Sequence, residues 1–313
     1  MKFKKPKFWD YKKASLSSFL LLPISILIKF INLIKLIGIK KKYPLIKTIC
    51  VGNIYLGGTG KTSLCLKINK ILNEKKIKTC FVKKFYPSQI DEQIILENEG
   101  KLFKNKKRLN CLNQAISEGY KVAILDDGLQ DFSIAYDLNI VCFNNINWIG
   151  NGFTIPSGPL RESVDNIKKY KNVFLNGNDE NIEEIKKYIT KIDPSINIYQ
   201  GIYVPKNLND FNLSDKFLVF SGIGNHGTFL SMLKKNKFHI VKDIEFPDHY
   251  EFSKKDIDNI ISISKKLECK IITTEKDFMR LRKNDYIDIK YIKVDLKILN
   301  QEKFLKDLSK IYE

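Results

Sequence analysis

The sequence predicts an α/β protein built on a parallel sheet, followed by a second, smaller α/β unit. Three observations carry that prediction. From residue 46 onward, short apolar runs of strand length alternate with amphipathic stretches of helix length, the pattern of strands covered by helices on both faces. A glycine-rich turn, Gly57-Gly58-Thr59-Gly60-Lys61-Thr62, stands between one such run and the helical stretch after it. The alternation breaks once, over 195–213, and then restarts.

Ahead of the first strand, residues 14–39 form the most hydrophobic stretch of the chain, and its uncharged run 16–28 is interrupted by Pro23. That run is short of the roughly 20 residues a bilayer span takes, and no small-residue cleavage site follows to make it a secretory signal. Phe30, Ile31, Leu33, Ile34 and Ile37 have Lys29, Lys35 and Lys40 to Lys42 as neighbours, with Phe8, Trp9 and Tyr11 ahead of the stretch. Aromatic and lysine flanks suit a segment lying in the headgroup region. This reading is preferred over a buried core helix and over a true span.

Residues 46–51 read as a strand, 62–73 as a helix, 79–83 as a strand, and 122–125, 139–143 and 172–175 as further buried strands. Within 195–213, Ile198, Tyr199, Ile202, Tyr203 and Val204 surround Gly201 and close on Pro205, giving an extended linker and a hinge. The second unit then reads as strand 217–220, helix 228–235, strand 239–244, helix 254–266, strand 270–273, helix 276–283 and strand 289–294. The boundaries that follow are 1–40 for the N-terminal segment, part of the first domain, 41–205 for the first domain proper and 206–313 for the smaller one.

Composition narrows the function. A chain of 313 residues with 43% hydrophobic content can bury a core, which excludes disorder as the overall state. The 54 basic residues outweigh the 35 acidic ones for a net charge of +19, yet only Arg108, Arg161, Arg280 and Arg282 are arginine. Nucleic-acid recognition relies on arginine for bidentate contacts, so the charge reads as lysine-rich composition and nucleic acid is not expected as a partner. No obligate protein partner is evident either. Six cysteines at irregular spacing, with no C-x-x-C pair, imply a reducing compartment with neither disulfides nor structural zinc.

The glycine-rich turn carries the sharpest chemistry. Between a strand and a helix, such glycines let backbone N–H groups face phosphate oxygens at the helix N-terminus, while Lys61 neutralises their charge and Thr62 offers a hydroxyl to Mg²⁺. The usual spacing asks for glycine at position 55 and finds Tyr55, so Tyr55, Leu56, Gly57, Gly58, Thr59, Gly60, Lys61 and Thr62 together form the expected nucleotide cradle. Asp126 and Asp127, at the end of an apolar strand, supply the carboxylates such a loop needs near its metal. In Thr274-Glu275-Lys276-Asp277 the lysine falls one place late for a guanine-specific motif, and Leu56 stands where partition-type ATPases carry a lysine. Both absences point to a kinase acting on a bound acceptor.

Two further segments are too polar for core. Residues 150–162 hold Asn151, Arg161 and Glu162 and read either as a plain surface loop or as contacts for substrate (Asn151, Arg161) and metal (Glu162). Phe246-Pro247-Asp248-His249 contains one of three histidines; chemistry alone leaves His249 open between a structural and a catalytic role.

Val51-Gly52-Asn53, the glycine-rich turn, Asp126-Asp127-Gly128-Leu129-Gln130, Gly150-Asn151-Gly152 with Pro159-Leu160-Arg161-Glu162, Ser221-Gly222-Ile223-Gly224-Asn225, Phe246-Pro247-Asp248-His249 and Thr273-Thr274-Glu275-Lys276-Asp277 occur in this order. The set resembles the tetraacyldisaccharide 4′-kinase (lipid A 4′-kinase) family over nearly the whole chain. The resemblance implies a P-loop α/β/α sandwich and a smaller α/β/α domain joined by a β linker. It also implies an enzyme at the cytoplasmic face of the inner membrane, using ATP and Mg²⁺ to phosphorylate the 4′-hydroxyl of an acylated glucosamine disaccharide 1-phosphate. By motif, Lys61 and Thr62 carry over as phosphate and metal contacts, Asp126 and Asp127 as the acidic pair, and Asp91 as the base with His249 as its partner. The sequence departs from the family at Asp91-Glu92-Gln93, which lacks the usual proline, at Lys84-Phe85-Tyr86 in place of Arg-Gly-Tyr, and at His226 in place of proline. Competing readings are a membrane-associated P-loop ATPase acting as a switch or assembly factor, and a basic nucleic-acid-binding protein.

Overall fold

A computed structural model of the chain describes residues 5–86, 90–178, 180–248, 250–281 and 288–312. It divides into two compact units, Met1–Gly201 with Ile298–Glu313, and Ile202–Lys297.

The first unit opens with α1 (Leu16–Leu36), followed by β1 (Lys47–Gly52), α2 (Lys61–Glu74), β2 (Thr79–Lys84), α3 (Ile90–Glu99), β3 (Leu102–Asn105), α4 (Arg108–Ser117), β4 (Val122–Asp126), β5 (Leu138–Asn144), β6 (Asn172–Gly177) and α5 (Ile182–Ile192). β7 (Asn197–Pro205) carries the chain across the division. The second unit holds β8 (Lys216–Ser221), α6 (His226–Lys235), β9 (His239–Glu245), α7 (Lys254–Lys266), β10 (Lys270–Thr274), α8 (Glu275–Arg280) and β11 (Ile289–Ile292). β12 (Val294–Leu299) returns the chain to the first unit, where α9 (Gln301–Ser309) ends it.

Among the described residues, the first unit's sheet runs β12-β7-β6-β5-β1-β4-β2-β3, and the pairings of β1 with β4 and β5, β2 with β3 and β4, and β5 with β6 are all parallel. β4 is buried at every position, and β1 at every position after Lys47, as strands covered on both faces must be. The chain runs from β1 to one side of the sheet for β2 and β3, returns for β4, and crosses to the other side for β5. That reversal falls at the carboxyl ends of β1 and β4, the place where open α/β sheets bind ligands. The second unit's sheet, β11-β10-β8-β9, is likewise parallel, with its own core of Phe217, Val219, Phe229, Leu233 and Ile272 on one face.

Two differences from the sequence reading have physical causes. Residues 289–294 read as one strand but divide at Lys293, where the Lys293 N–H donates to Asn207 Oδ1 at 2.9 Å and its carbonyl accepts from the Lys206 N–H at 2.8 Å. The chain thereby leaves the small sheet, and 298–313 group with the first unit rather than with the rest of 206–313. In addition, α1 continues through Pro23, which the sequence presented as an interruption. All six cysteines are free thiols, and burial pushes the Cys111 thiol up to about 11.

α1 is built inside out. Ser18 and Ser25 are its buried residues, whereas Leu16, Leu20, Ile26, Leu27 and Phe30 are each at least 58% exposed. The buried serines meet 150–162: Ser18 Oγ accepts from Asn151 Nδ2 at 3.0 Å, and Ser25 Oγ donates to the Thr154 carbonyl at 2.9 Å. A helix that hydrogen-bonds the protein and presents leucine outward is ordered for an apolar neighbour.

Candidate functional site

The glycine-rich turn lies between β1 and α2, at the carboxyl edge of the sheet. Gly60 caps α2 in the left-handed region at φ 80°, a conformation glycine adopts without penalty, and this aims the first N–H groups of α2 away from the helix body. Buried Asn53 braces the turn, donating from Nδ2 to the carbonyls of Tyr55 at 2.5 Å and Gly57 at 3.3 Å.

Asp126 ends β4, in register with Val51 of β1 on one side and Lys83 of β2 on the other. Its Oδ2 accepts from Thr62 Oγ1 at 3.2 Å and from Lys83 Nζ at 2.5 Å, while its Oδ1 is buried with no hydrogen-bond partner. A buried carboxylate oxygen without a donor is costly unless a cation takes it. With the threonine hydroxyl beside it, this donor set fits a Mg²⁺ held by one or two protein oxygens plus substrate phosphates and water. No cluster of three or more histidine, cysteine or acidic side chains suited to a metal occurs among the described residues.

Lys83 is 2% exposed and also donates to Glu92 Oε2 at 2.7 Å. Burial works to neutralise it, but Asp126 and Glu92 outweigh burial and hold the ammonium charged, well above the usual lysine range. Asp127 turns the chain in the left-handed region at φ 59°, which aspartate tolerates better than most residues. Arg108 donates to its carbonyl and Arg161 Nη1 to its Oδ1 at 2.9 Å. Burial raises the Asp127 pKa, but the positive charges of Lys61 and Arg161 overcome it and hold the carboxyl below the ordinary range.

Residues 150–162 join this turn to α1. Leu56 N–H donates to the Pro159 carbonyl at 2.8 Å and Arg161 N–H to the Ile54 carbonyl at 2.7 Å. Gly150 stands at φ 58°, and a side chain there would overlap the Trp9 carbonyl, 2.2 Å from the Cβ position. The segment therefore packs directly on the N-terminal residues.

The sequence-expected residues separate accordingly. Lys61, Thr62, Asp126, Asp127 and Arg161 gather around the turn. Tyr55 is buried and its hydroxyl donates to Asp10 Oδ1 at 2.7 Å. The oxygens of Glu162 accept from Asn166 at 2.9 Å and Tyr170 at 2.7 Å. Asn151 bonds Ser18 and the Ser157 carbonyl. The side chain of Asp91 and the whole of His249 lie outside the described residues, although the backbone of Asp91 belongs to the first turn of α3. Sequence reasoning did not single out Lys83, Arg108 or Gln130, whose Oε1 accepts from Arg161 Nη1 at 3.0 Å. For Lys83 a signal existed, since a lysine closing the apolar run Cys80-Phe81-Val82 is buried only when paired.

The family model for Tetraacyldisaccharide-1-P 4′-kinase matches residues 17–104 and 91–313. The chain is 57% identical to the Tetraacyldisaccharide 4′-kinase of Pelagibacter ubique (strain HTCC1062) over 100% of this chain and 99% of that protein. It is 31% identical to the one of Rickettsia akari (strain Hartford), covering 95% and 94%. Among solved structures, LpxK from Aquifex aeolicus in complex with ATP matches with a TM-score of 0.67 at 23% identity, covering 95% of this chain and 99% of that one; at that identity the likeness establishes the fold.

Proposed function

The chain belongs to the tetraacyldisaccharide 4′-kinase family, and on that premise we propose how its own residues carry the reaction. It is an ATP-dependent kinase of lipid A biosynthesis, moving the γ-phosphate of ATP to the 4′-hydroxyl of tetraacyldisaccharide 1-phosphate. The observation that carries the residue assignment is the contact of Thr62 with Asp126 at the foot of the glycine-rich turn.

In this reading the turn 57–60 and the N-terminus of α2 hold the β and γ phosphates, and Lys61 takes up the charge that spreads over the transferred group. Thr62 and Asp126 would hold Mg²⁺, which would supply positive charge against the charge developing on the transferred phosphate. Asp127, locked by Arg161 and Arg108, fixes the turn that aims Asp126. Asp91 receives the proton of the sugar hydroxyl, a contribution of about 10²–10⁴-fold for a positioned base, and the family motif assigns His249 as its partner. The outward apolar face of α1 supports a location on the lipid surface, at the cytoplasmic face of the inner membrane where ATP is available. There the acyl chains of the acceptor stay in the bilayer while its sugar reaches the site.

The test is transfer of labelled γ-phosphate from ATP to purified tetraacyldisaccharide 1-phosphate in mixed micelles, with Lys61→Ala alongside. Labelled lipid with the parent chain and a loss on the order of 10³-fold with Lys61→Ala is expected. Equal transfer by both would remove Lys61 from the mechanism.

A further inference from the structure

We propose that Lys83 is a positioning residue: it ties the metal-side carboxylate Asp126 to the first turn of α3 and so sets where Asp91 stands relative to the glycine-rich turn. This rests on Asp91 being the base.

Lys83 and Asp126 are register partners on adjacent parallel strands, and the lysine Nζ lies 2.5 Å from Asp126 Oδ2 and 2.7 Å from Glu92 Oε2. At 2% exposure the ammonium has almost no access to bulk water, and the two carboxylates are the groups that compensate its charge. One of them ends a central strand beside Thr62. The other is the sequence neighbour of Asp91 in the first turn of a ten-residue helix.

A second contact, from Gln93 Nε2 to the Tyr86 carbonyl at 2.9 Å, holds the same end of α3 to the chain leaving β2. The helix start is therefore fixed to the sheet edge by side chains on two consecutive residues, Glu92 and Gln93. A buried ion pair adds little net stability over well-packed apolar groups, and its attested use is to fix geometry. Here the geometry it fixes is the placement of the first turn of α3, which carries Asp91, against the end of β4.

The tie also bears on the metal. With Thr62 and Lys83 both on Oδ2, Asp126 is held with Oδ1 as its open oxygen, and the lysine charge offsets part of the attraction that Asp126 exerts on a cation. Removing Lys83 should thus act in opposite directions on two quantities. Turnover should fall because α3 loses its anchor, whereas metal-nucleotide binding should hold or strengthen because a competing cation is gone. A general loss of structure would weaken both.

The experiment compares Lys83→Gln, Lys83→Arg, Glu92→Ala and Asp91→Asn in the labelled-lipid assay, and titrates each with Mg²⁺ and a fluorescent non-hydrolysable ATP analogue. Lys83→Gln and Glu92→Ala should each lower kcat on the order of 100-fold, the cost of about 1 Å of misplacement, with KM for ATP little changed. Lys83→Gln should bind the metal-analogue pair at least as tightly as the parent, and Lys83→Arg should recover most of the turnover. Should Lys83→Gln fail to fold, Glu92→Ala decides alone, because it leaves the pair of Lys83 and Asp126 in place. Normal kcat in both Lys83→Gln and Glu92→Ala beside an inactive Asp91→Asn overturns the tie while the base assignment stands. A fully active Asp91→Asn overturns the base assignment and the tie with it.

Discussion

At Asp127, charge and backbone conformation meet in one residue. Its left-handed turn directs Asp126 toward Thr62, and the guanidinium groups of Arg108 and Arg161 hold that turn from its carbonyl and its carboxylate. Because the folded-state pKa of Asp127 lies below its ordinary value of 3.8, its ionised form is favoured by folding. The resulting stability is present above the ordinary value and lost as pH falls through the lower one. Arg161→Gln removes part of that stabilisation. Thermal melts should place the variant below the parent at pH 7, by about 1 kcal/mol for a half-buried pair, with the gap closing below about pH 4. A gap independent of pH would mean that Arg161 acts on the turn through packing and not through the charge of Asp127.

Among the elements, α1 and residues 150–162 act as one piece. Ser18 accepts from Asn151 and Ser25 donates to the Thr154 carbonyl and the Ser157 hydroxyl, while the same segment pairs with 54–56 beside the glycine-rich turn. The polar face of the helix is thus used up inside the protein, and its leucines and phenylalanines are left to whatever lies outside. Replacing Leu20, Leu27 and Phe30 together with serine withdraws about 1.5 kcal/mol of insertion from each. Vesicle affinity should drop on the order of a thousandfold with Tm nearly unchanged, since these side chains bury little within the fold. A fall in Tm with unaltered vesicle binding would show that the face packs on protein.

Across the whole molecule, the legible features were those fixed by local chemistry. The turn 57–62, the strand ending in Asp126 and the helix 254–266 could be read because glycine spacing, apolar runs and helical periodicity reside in contiguous residues. The return of β12 could not, because the break before it depends on the Lys293 N–H donating to the side chain of Asn207, far away in sequence. Nor could the ion pairs of Lys83: they require knowing that β2 lies beside β4, with β3 and α4 intervening in the chain. The same limit hid the engagement of Tyr55 by Asp10, 45 residues away.

The central claim is that nucleotide turnover here is transfer to a lipid sugar. The most direct measurement is the ratio of phosphorylated lipid to ADP formed, with the parent chain, ATP, Mg²⁺ and tetraacyldisaccharide 1-phosphate in mixed micelles. The account predicts a ratio near one and little ADP when the acceptor is left out. ADP and free phosphate released at the same rate with or without acceptor, and no phosphorylated lipid, would contradict it and identify a membrane-associated ATPase instead.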